Sequence, residues 1–278
     1  MTPFRKMHFG GNDFVVLDGR AGRLPISQAR AAAIADRRTG VGFDQLLLIE
    51  AADGADAYLR ILNADGSEAE ACGNGTRCVA GLLMAESGRG HAVIRTLAGE
   101  LMAESRGDGL VAVDMGPVRL GWRDVPLARE LDTLHLPLAR DGLPQPVHDP
   151  AACSMGNPHV TFFVDDVKNL PVEALGHELE HDPLFPQRAN IGFAEILAPH
   201  RLKLRVWERG AGETRACGSG ACAAVVNAAR RKLTAHAADV LLPGGTLHIH
   251  WRADGHVVMT GPWMTAFEGR LDLDAYPL

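Results

Sequence analysis

Two cysteines stand in nearly identical glycine-rich contexts. Cys72 lies in ACGNG at 71–75, and Cys217 lies in ACGSG at 216–220. An apolar stretch that predicts a helix follows each motif, so each thiol is expected at a helix N-terminus. The partial positive charge at such an end favours the thiolate and can lower a cysteine pKa from about 8.5 to roughly 3.5–7.5. These thiols could therefore act as acids and bases near neutral pH.

Two opposed thiols would suit inversion of a carbon next to a carboxylate. A thiolate would remove the proton on one face while a thiol delivers a proton to the other. The developing charge would spread into the carboxylate, and one such stabilising donor is worth roughly 3 kcal/mol. The backbone amides predicted to stabilise this charge are those of Gly73, Asn74, Gly218 and Ser219.

The chain contains two copies of one unit. The offset between the cysteines is 217 − 72 = 145, and other matching residues recur at the same offset. A period this long indicates a duplicated domain, because solenoid repeats have periods of roughly 20–50 residues. The other matches are Gly11-Asn12 with Gly156-Asn157, Arg60 with Arg205, Glu68 with Glu213, and Gly116-Pro117 with Gly261-Pro262.

Each copy predicts several short strands and one long helix. The helix candidates are NGTRCVAGLLMAES and GSGACAAVVNAARRK. CAAVVNAA is small and apolar on nearly every face, so its helix should be enclosed by protein. Strands are predicted from FVVLD, QLLLIEA, AYLRIL, LMAES and LVAVDM in the first copy, and from VTFFVDDV, FAEILA, LKLRVWE, TLHIHW and HVVMTG in the second. The pattern predicts an α+β fold of two pseudo-symmetric lobes.

The two copies differ at charged positions. Glu208 and Arg209 stand where the first copy has Asn63 and Ala64. A glutamate suits an ammonium group, and an arginine suits a carboxylate through bidentate bonding. The difference predicts a substrate with several charged ends.

Composition and charge favour a cytoplasmic enzyme that acts on a small molecule. The net charge is −6 and the basic residues are scattered, which argues against a nucleic-acid partner. No apolar run is long enough for a membrane span, and the N-terminus lacks a signal-peptide pattern. The odd number of cysteines, five, argues against a disulfide framework, and their spacings match zinc sites only weakly. No metal or cofactor is predicted, since no lysine lies beside the glycine-rich turns to hold pyridoxal.

Several long motifs resemble the diaminopimelate epimerase family across nearly the whole chain. They are MHFGGNDFVVLD, GFDQLL, NADGSEAEACGNGTRC, SMGNPHVTFFVDDV, DPLFPQRANIGF and RVWERGAGETRACGSGACAA. The resemblance implies interconversion of LL- and meso-diaminopimelate, in lysine and peptidoglycan precursor biosynthesis. It also implies a homodimer.

The resemblance assigns roles to individual residues. Cys72 and Cys217 would be the catalytic thiols, and Glu208 would hold the reacting amino group. His159 would support the second thiol. The cradle of the reacting carboxylate would comprise Gly73, Asn74, Gly218 and Ser219. The distal end of the substrate would be bound by Asn63, Asn157, Asn190 and Arg209, with Asn12 and Gln45 also lining the site.

The implied fold has two lobes, each a highly curved, mostly antiparallel sheet around a central helix. The end of the chain would return to the first lobe. The predicted boundaries are residues 1–117 with 263–278 for the N-terminal lobe and 118–262 for the C-terminal lobe, with the active site in the cleft between them.

Two other functions fit part of the pattern. A related racemase acting on proline or hydroxyproline would also use two thiols, but such relatives usually carry histidine where this chain has Asn74. A redox protein would more typically carry a C-x-x-C pair, which the sequence lacks.

Overall fold

The chain divides into two compact units. The computed structural model describes residues 1–141 and 145–277. The first unit comprises Met1–Asp114 and the C-terminal segment from Thr260, and the second comprises Met115–Met259. The predicted lobes also include residues 142–144 and 278, which lie outside the described residues.

Strands make up most of both units, and the helices are few. The strands are β1 (Thr2–Phe9), β2 (Asn12–Asp18), β3 (Gln45–Glu50), β4 (Ala57–Asn63), β5 (Glu68–Ala69), β6 (His91–Thr96), β7 (Gly99–Gly107), β8 (Leu110–Pro117), β9 (Ala139–Arg140), β10 (Val147–His148), β11 (Ala151–Ser154), β12 (Pro158–Phe163), β13 (Asn190–Ala198), β14 (Arg201–Glu208), β15 (Gly212–Thr214), β16 (Ala237–Leu242), β17 (Gly245–Trp251), β18 (His256–Pro262) and β19 (Met264–Leu271). The α-helices are α1 (Gln28–Ala35), α2 (Gly73–Ser87), α3 (Val172–Glu180) and α4 (Gly218–Arg230), and a 3₁₀ helix covers Leu273–Ala275. Among the described residues, no helix has the length and apolar character to cross a membrane.

The two units repeat the same strand pairings, which confirms the duplication. In the first unit β2 is parallel to β3, β3 antiparallel to β4, β4 parallel to β6 and β6 antiparallel to β7. In the second unit β12, β13, β14, β16 and β17 pair in the same senses. The register is also repeated, because Phe14 lies opposite Gln45 and His159 lies opposite Asn190 at the 145-residue offset.

In each unit the sheet curves around one buried helix. Helix α2 contacts β1, β2, β3, β6 and β7, and α4 contacts β11, β12, β13, β14, β16 and β17 of the second unit. A single helix reaches this many strands only if the sheet bends around it. Most of α4 is buried, as its small apolar residues predict.

A second helix covers the outer face of each sheet. In β3, Leu46 and Leu48 belong to the apolar cluster that includes Ile34 of α1, while Leu47 packs against the start of α2. Both faces of this strand are therefore covered, which explains the uninterrupted apolar run LLLI within QLLLIE. In the second unit, α3 packs in the same way against β13 and β14.

Helices α1 and α3 were not predicted from the sequence. Helix α1 begins after Ser27, whose hydroxyl accepts a hydrogen bond from the Arg30 amide, so a capping signal was present. Helix α3 shows apolar residues at Val172, Leu175 and Leu179, the spacing of one helical face. The strand predicted from VTFFVDDV is correct only as far as Phe163.

Candidate active site

The candidate residues of each unit lie at one end of its sheet. In the first unit, the parallel strands β2 and β3 begin at Asn12 and Gln45, and the antiparallel β4 ends at Asn63. In the second unit, β13 begins at Asn190 and β14 ends at Glu208. Strand direction thus explains how residues distant in sequence collect together.

Cys72 is the N-cap residue of α2. Its backbone is extended, with φ −148° and ψ 102°, and its sulfur accepts a hydrogen bond from the Gly75 amide at 3.3 Å. A Cβ at Gly75 would lie 3.0 Å from Leu47 Cδ2 and 3.4 Å from the Cys72 sulfur. The second glycine of the motif therefore allows the helix to begin this close to both the thiol and β3.

A directed chain of hydrogen bonds orients the two asparagine amides beside this helix. Arg77 Nη2 donates to Asn74 Oδ1 at 3.1 Å, Asn74 Nδ2 donates to Asn12 Oδ1 at 3.2 Å, and Asn12 Nδ2 donates to Asp44 Oδ2 at 3.1 Å. A guanidinium only donates and a carboxylate only accepts, so the two charged ends fix both amides in one sense.

Gln45 and Asn63 form the second pair of the first unit. They lie opposite each other on β3 and β4, and Gln45 Nε2 donates to Asn63 Oδ1 at 3.3 Å. Asn63 Nδ2 donates to Ser67 Oγ at 3.1 Å. Both amides are half-buried, so they combine fixed orientation with access to a ligand.

Cys217 is the N-cap residue of α4 and is more deeply buried than Cys72. Burial raises the pKa of the Cys217 thiol well above its usual range, and the negative charge of Glu208 raises it further. The Gly220 amide and the Ser219 hydroxyl lower this pKa only in part. The prediction of a thiol made acidic by the helix N-terminus is therefore wrong for Cys217, because desolvation outweighs the helix end.

The remaining polar residues of the second unit are held by hydrogen bonds between elements. Thr214 Oγ1 donates to Glu208 Oε1, and Asn190 Oδ1 accepts from the Arg209 amide at 2.9 Å. The Asn190 side chain also donates to the carbonyl of Pro158 at 2.8 Å. Asn190 thus ties the start of β12 to the residue that follows β14.

His159 is buried and pairs with Asn157. The distance from His159 Nε2 to Asn157 Oδ1 is 3.0 Å. Burial, together with the smaller effect of the nearby positive charge of Arg209, lowers the pKa of His159 to about 3. The imidazole is therefore neutral at pH 7, and a neutral ring that donates from Nε2 orients the Asn157 amide.

Replacing His159 with phenylalanine should remove part of the acid sensitivity of folding. The unfolded histidine binds a proton below about pH 6.5, whereas the folded one does so only near pH 3, so stability falls as the pH drops through this window. Between pH 7 and pH 5 the wild type should lose about 2 kcal/mol more than H159F. Urea unfolding at both pH values measures this difference. Phe14 occupies the matching position in the first unit, so the fold accommodates the ring, and equal losses in both proteins would contradict the prediction.

Sequence reasoning missed four residues that shape the two clusters. Arg77 and Asp44 hold the asparagine amides, Thr214 contacts Glu208, and Gly75 permits the close approach at Cys72. Arg77 is three residues after Asn74 on a helix, a spacing that brings side chains together. Gly75 lies within the glycine-rich motif itself, whereas the contacts of Asp44 and Thr214 join separate elements and leave no local signal.

Each unit supplies a helix-start thiol and oriented amides, and the second unit adds a carboxylate. Groups of these kinds can exchange protons with a carbon acid and bind charged substituents. Among residues 1–141 and 145–277 there is no group of three His, Cys, Asp or Glu side chains placed to hold a metal ion.

Comparison with known proteins gives one consistent result. The family model described as diaminopimelate epimerase matches residues 4–121 and 151–265. A relative of that name from Acidiphilium cryptum is 62% identical over 270 residues, which cover 97% of this chain and 96% of the relative. Another of the same name, from Rhodospirillum centenum, is 54% identical over 276 residues, which cover 99% of this chain and 94% of the relative.

A solved structure with a different described activity shares the fold. A probable proline racemase from Agrobacterium radiobacter superposes with a TM-score of 0.66, covering 99% of this chain and 94% of that one. The sequence identity is 16%, so the likeness extends to the fold alone.

Proposed function

Because the chain belongs to the diaminopimelate epimerase family, we propose that it interconverts LL- and meso-diaminopimelate, with Cys72 and Cys217 as the acid/base pair. The observation that carries the proposal is the matched placement of the two thiols. Each is the N-cap residue of the buried helix in its own unit, at positions related by the internal duplication. A pair of this kind suits removal of a proton from one face of a carbon and delivery to the other.

The proposed proton transfers balance without a further reagent. One sulfur acts as thiolate and takes the α-proton, the electron pair is delocalised into the adjacent carboxylate, and the other sulfur gives its proton to the opposite face. The raised pKa of Cys217 supports its starting as the thiol, which leaves Cys72 as the starting base. After one turnover the two sulfurs have exchanged protonation states, so the enzyme is set for the reverse reaction.

The roles proposed for the polar residues follow their chemistry. The Glu208 carboxylate holds the reacting ammonium group, and its negative charge also keeps Cys217 protonated until substrate binds. Amides at the two helix starts receive the developing carboxylate charge. These amides are those of Gly73, Asn74, Gly218 and Ser219.

We propose that the distal end of the substrate is bound by amides and one guanidinium. Arg209 is exposed and suits the distal carboxylate. The amides are those of Asn63, Asn157 and Asn190, with Asn12 and Gln45 lining the site. The neutral His159 serves only to orient Asn157.

The quaternary and cellular context is proposed from the family resemblance. The two lobes, 1–117 with 263–278 and 118–262, would each supply one thiol to the reaction. The protein would form a homodimer, act in the cytoplasm, and serve lysine and peptidoglycan precursor synthesis. Met264 and Phe267 on β19 are more than half exposed, which supports an apolar contact between copies.

Proton NMR in D2O tests the proposed reaction directly. Reduced protein incubated with LL-diaminopimelate and no added cofactor should remove the α-proton signal while the meso isomer accumulates. Exchange together with epimerisation supports the proposal. Absence of both in folded, reduced protein would reject this substrate, and proline and hydroxyproline would then be tested in the same way.

A further inference from the structure

Glu180 connects α3 to the segment that carries two of the proposed substrate-binding residues. Its side chain is 3% exposed. Oε2 accepts a hydrogen bond from the Trp207 indole at 2.7 Å, and Oε1 accepts one from the Gly210 amide at 3.0 Å. Arg188 adds a longer contact to Oε1 at 3.6 Å. Both oxygens of a buried carboxylate are thus bonded to the residues that flank positions 208 and 209.

Trp207 lies directly across α3, and a glycine makes this possible. A Cβ added at Gly176 would lie 2.3 Å from Cγ of Trp207, far inside any van der Waals contact. Gly176 is one helical turn before Glu180, so the indole crosses the helix at the glycine and reaches the carboxylate with its N–H. The glycine and the glutamate therefore together form the binding surface of α3 for the Trp207 side chain.

These contacts hold the chain on both sides of Glu208 and Arg209, through the Trp207 side chain and the Gly210 backbone amide. Trp207 precedes the pair and Gly210 follows it, and both are held by Glu180. Asn190 adds a third contact by accepting from the Arg209 amide at 2.9 Å. With two backbone amides and the Trp207 side chain held, the segment directs the two charged side chains from a fixed position.

The first unit shows that the fold itself does not require this arrangement. At the matching positions of the first unit, Ala35 stands in place of Glu180 and Leu62 in place of Trp207. Ala35 and Leu62 both pack into or beside an apolar layer. A buried carboxylate is costly to desolvate, and an apolar replacement is often neutral or stabilising. The carboxylate occurs only in the unit where Glu208 and Arg209 replace Asn63 and Ala64.

We propose that Glu180 is a positioning residue that sets the placement of Glu208 and Arg209 and thereby the affinity for a substrate with an ammonium and a distal carboxylate. The proposal rests on the proposed function for the roles of residues 208 and 209. Glu180 acts through Trp207 and Gly210 and does not itself touch the substrate.

The isosteric variant Glu180→Gln tests this role. A glutamine keeps one acceptor oxygen but turns an NH2 group towards one of the two N–H donors, so one of the two bonds is lost. KM for LL-diaminopimelate should rise by about ten- to a hundredfold, the range for a lost hydrogen bond to a charged group, while kcat changes much less. A purely structural role would reduce the active fraction, and hence kcat, and leave KM unchanged.

Glu178→Gln is the matched control. Glu178 lies on the same helix and is 60% exposed, with an ion pair to Arg140. KM and kcat of this variant should equal those of the wild type. Gly176→Ala provides an independent variant, because its Cβ must displace Trp207, and it should raise KM as Glu180→Gln does.

The indole N–H signal of Trp207 separates this inference from the proposed reaction. In the wild type, the short bond to a carboxylate should place this resonance downfield, and Trp207→Phe assigns it among the four tryptophans. Glu180→Gln should move it upfield, and Glu178→Gln should not. If the wild type fails to epimerise diaminopimelate while the signal behaves as expected, the proposed function is rejected and the contact stands. An unchanged signal, or a wild-type KM in Glu180→Gln and Gly176→Ala, overturns the positioning role.

Discussion

Replacing either Cys72 or Cys217 with serine should lower kcat/KM for epimerisation by roughly 10²–10⁴, the usual contribution of a positioned acid or base. A serine hydroxyl fills nearly the same space and can still cap the helix. Its much higher pKa prevents it from serving as a base near neutral pH. Each direction of the reaction uses one sulfur as base and the other as acid, so both directions should be affected in both variants. Circular dichroism follows the optical activity of the substrate, and the rates of LL and meso consumption are measured separately for each variant.

Cys78→Ala is the matched control for this prediction. Cys78 lies on the same helix as Cys72, six residues further on, and burial raises its pKa to about 12. It should be inert as an acid or base, so the variant should retain activity within about threefold and lose only the packing of a small buried side chain. Near wild-type activity in Cys72→Ser or Cys217→Ser would contradict the two-thiol mechanism.

Replacing Arg77 with methionine should destabilise the first unit by roughly 2–5 kcal/mol. The guanidinium is fully buried, lies 4.5 Å above the Phe9 ring, and donates to the Pro262 carbonyl and to Asn74 Oδ1. Methionine has a similar length but donates nothing, so both acceptors lose a partner, each at about 1–3 kcal/mol. Urea unfolding measures the change. Activity should fall as well, because the Asn74 and Asn12 amides lose the charge that orients them.

Arg106→Met is the control for the arginine variant. Arg106 is 53% exposed and its ion pair with Glu104 lies at the surface. Such pairs contribute at most about 1 kcal/mol, so this variant should unfold with nearly wild-type stability. A loss of under about 1 kcal/mol in Arg77→Met would show that the buried guanidinium is not an anchor of the site.

Much of the architecture could be predicted because it depends on local pattern and on the repeat. The buried helices α2 and α4 follow from small apolar residues after a glycine-rich start, and the strands follow from short apolar runs between turns. The 145-residue offset then transfers each element from one unit to the other. Helices α1 and α3 were missed because the repeat carries no identical motif there and both are short.

The sequence by itself determined the family, the duplication and the residue types available for chemistry. Those properties depend on which residues occur and on their order along the chain, and both can be read without coordinates. Only the tertiary structure decided the burial, the protonation and the hydrogen-bond partners of each residue. Burial raises the pKa of Cys217, which the helix end was expected to lower, and it lowers the pKa of His159. The carboxylate of Glu180 is buried as well. Desolvation and hydrogen bonding depend on neighbours brought from distant parts of the chain, such as Trp207 for Glu180, and no local spacing encodes those neighbours.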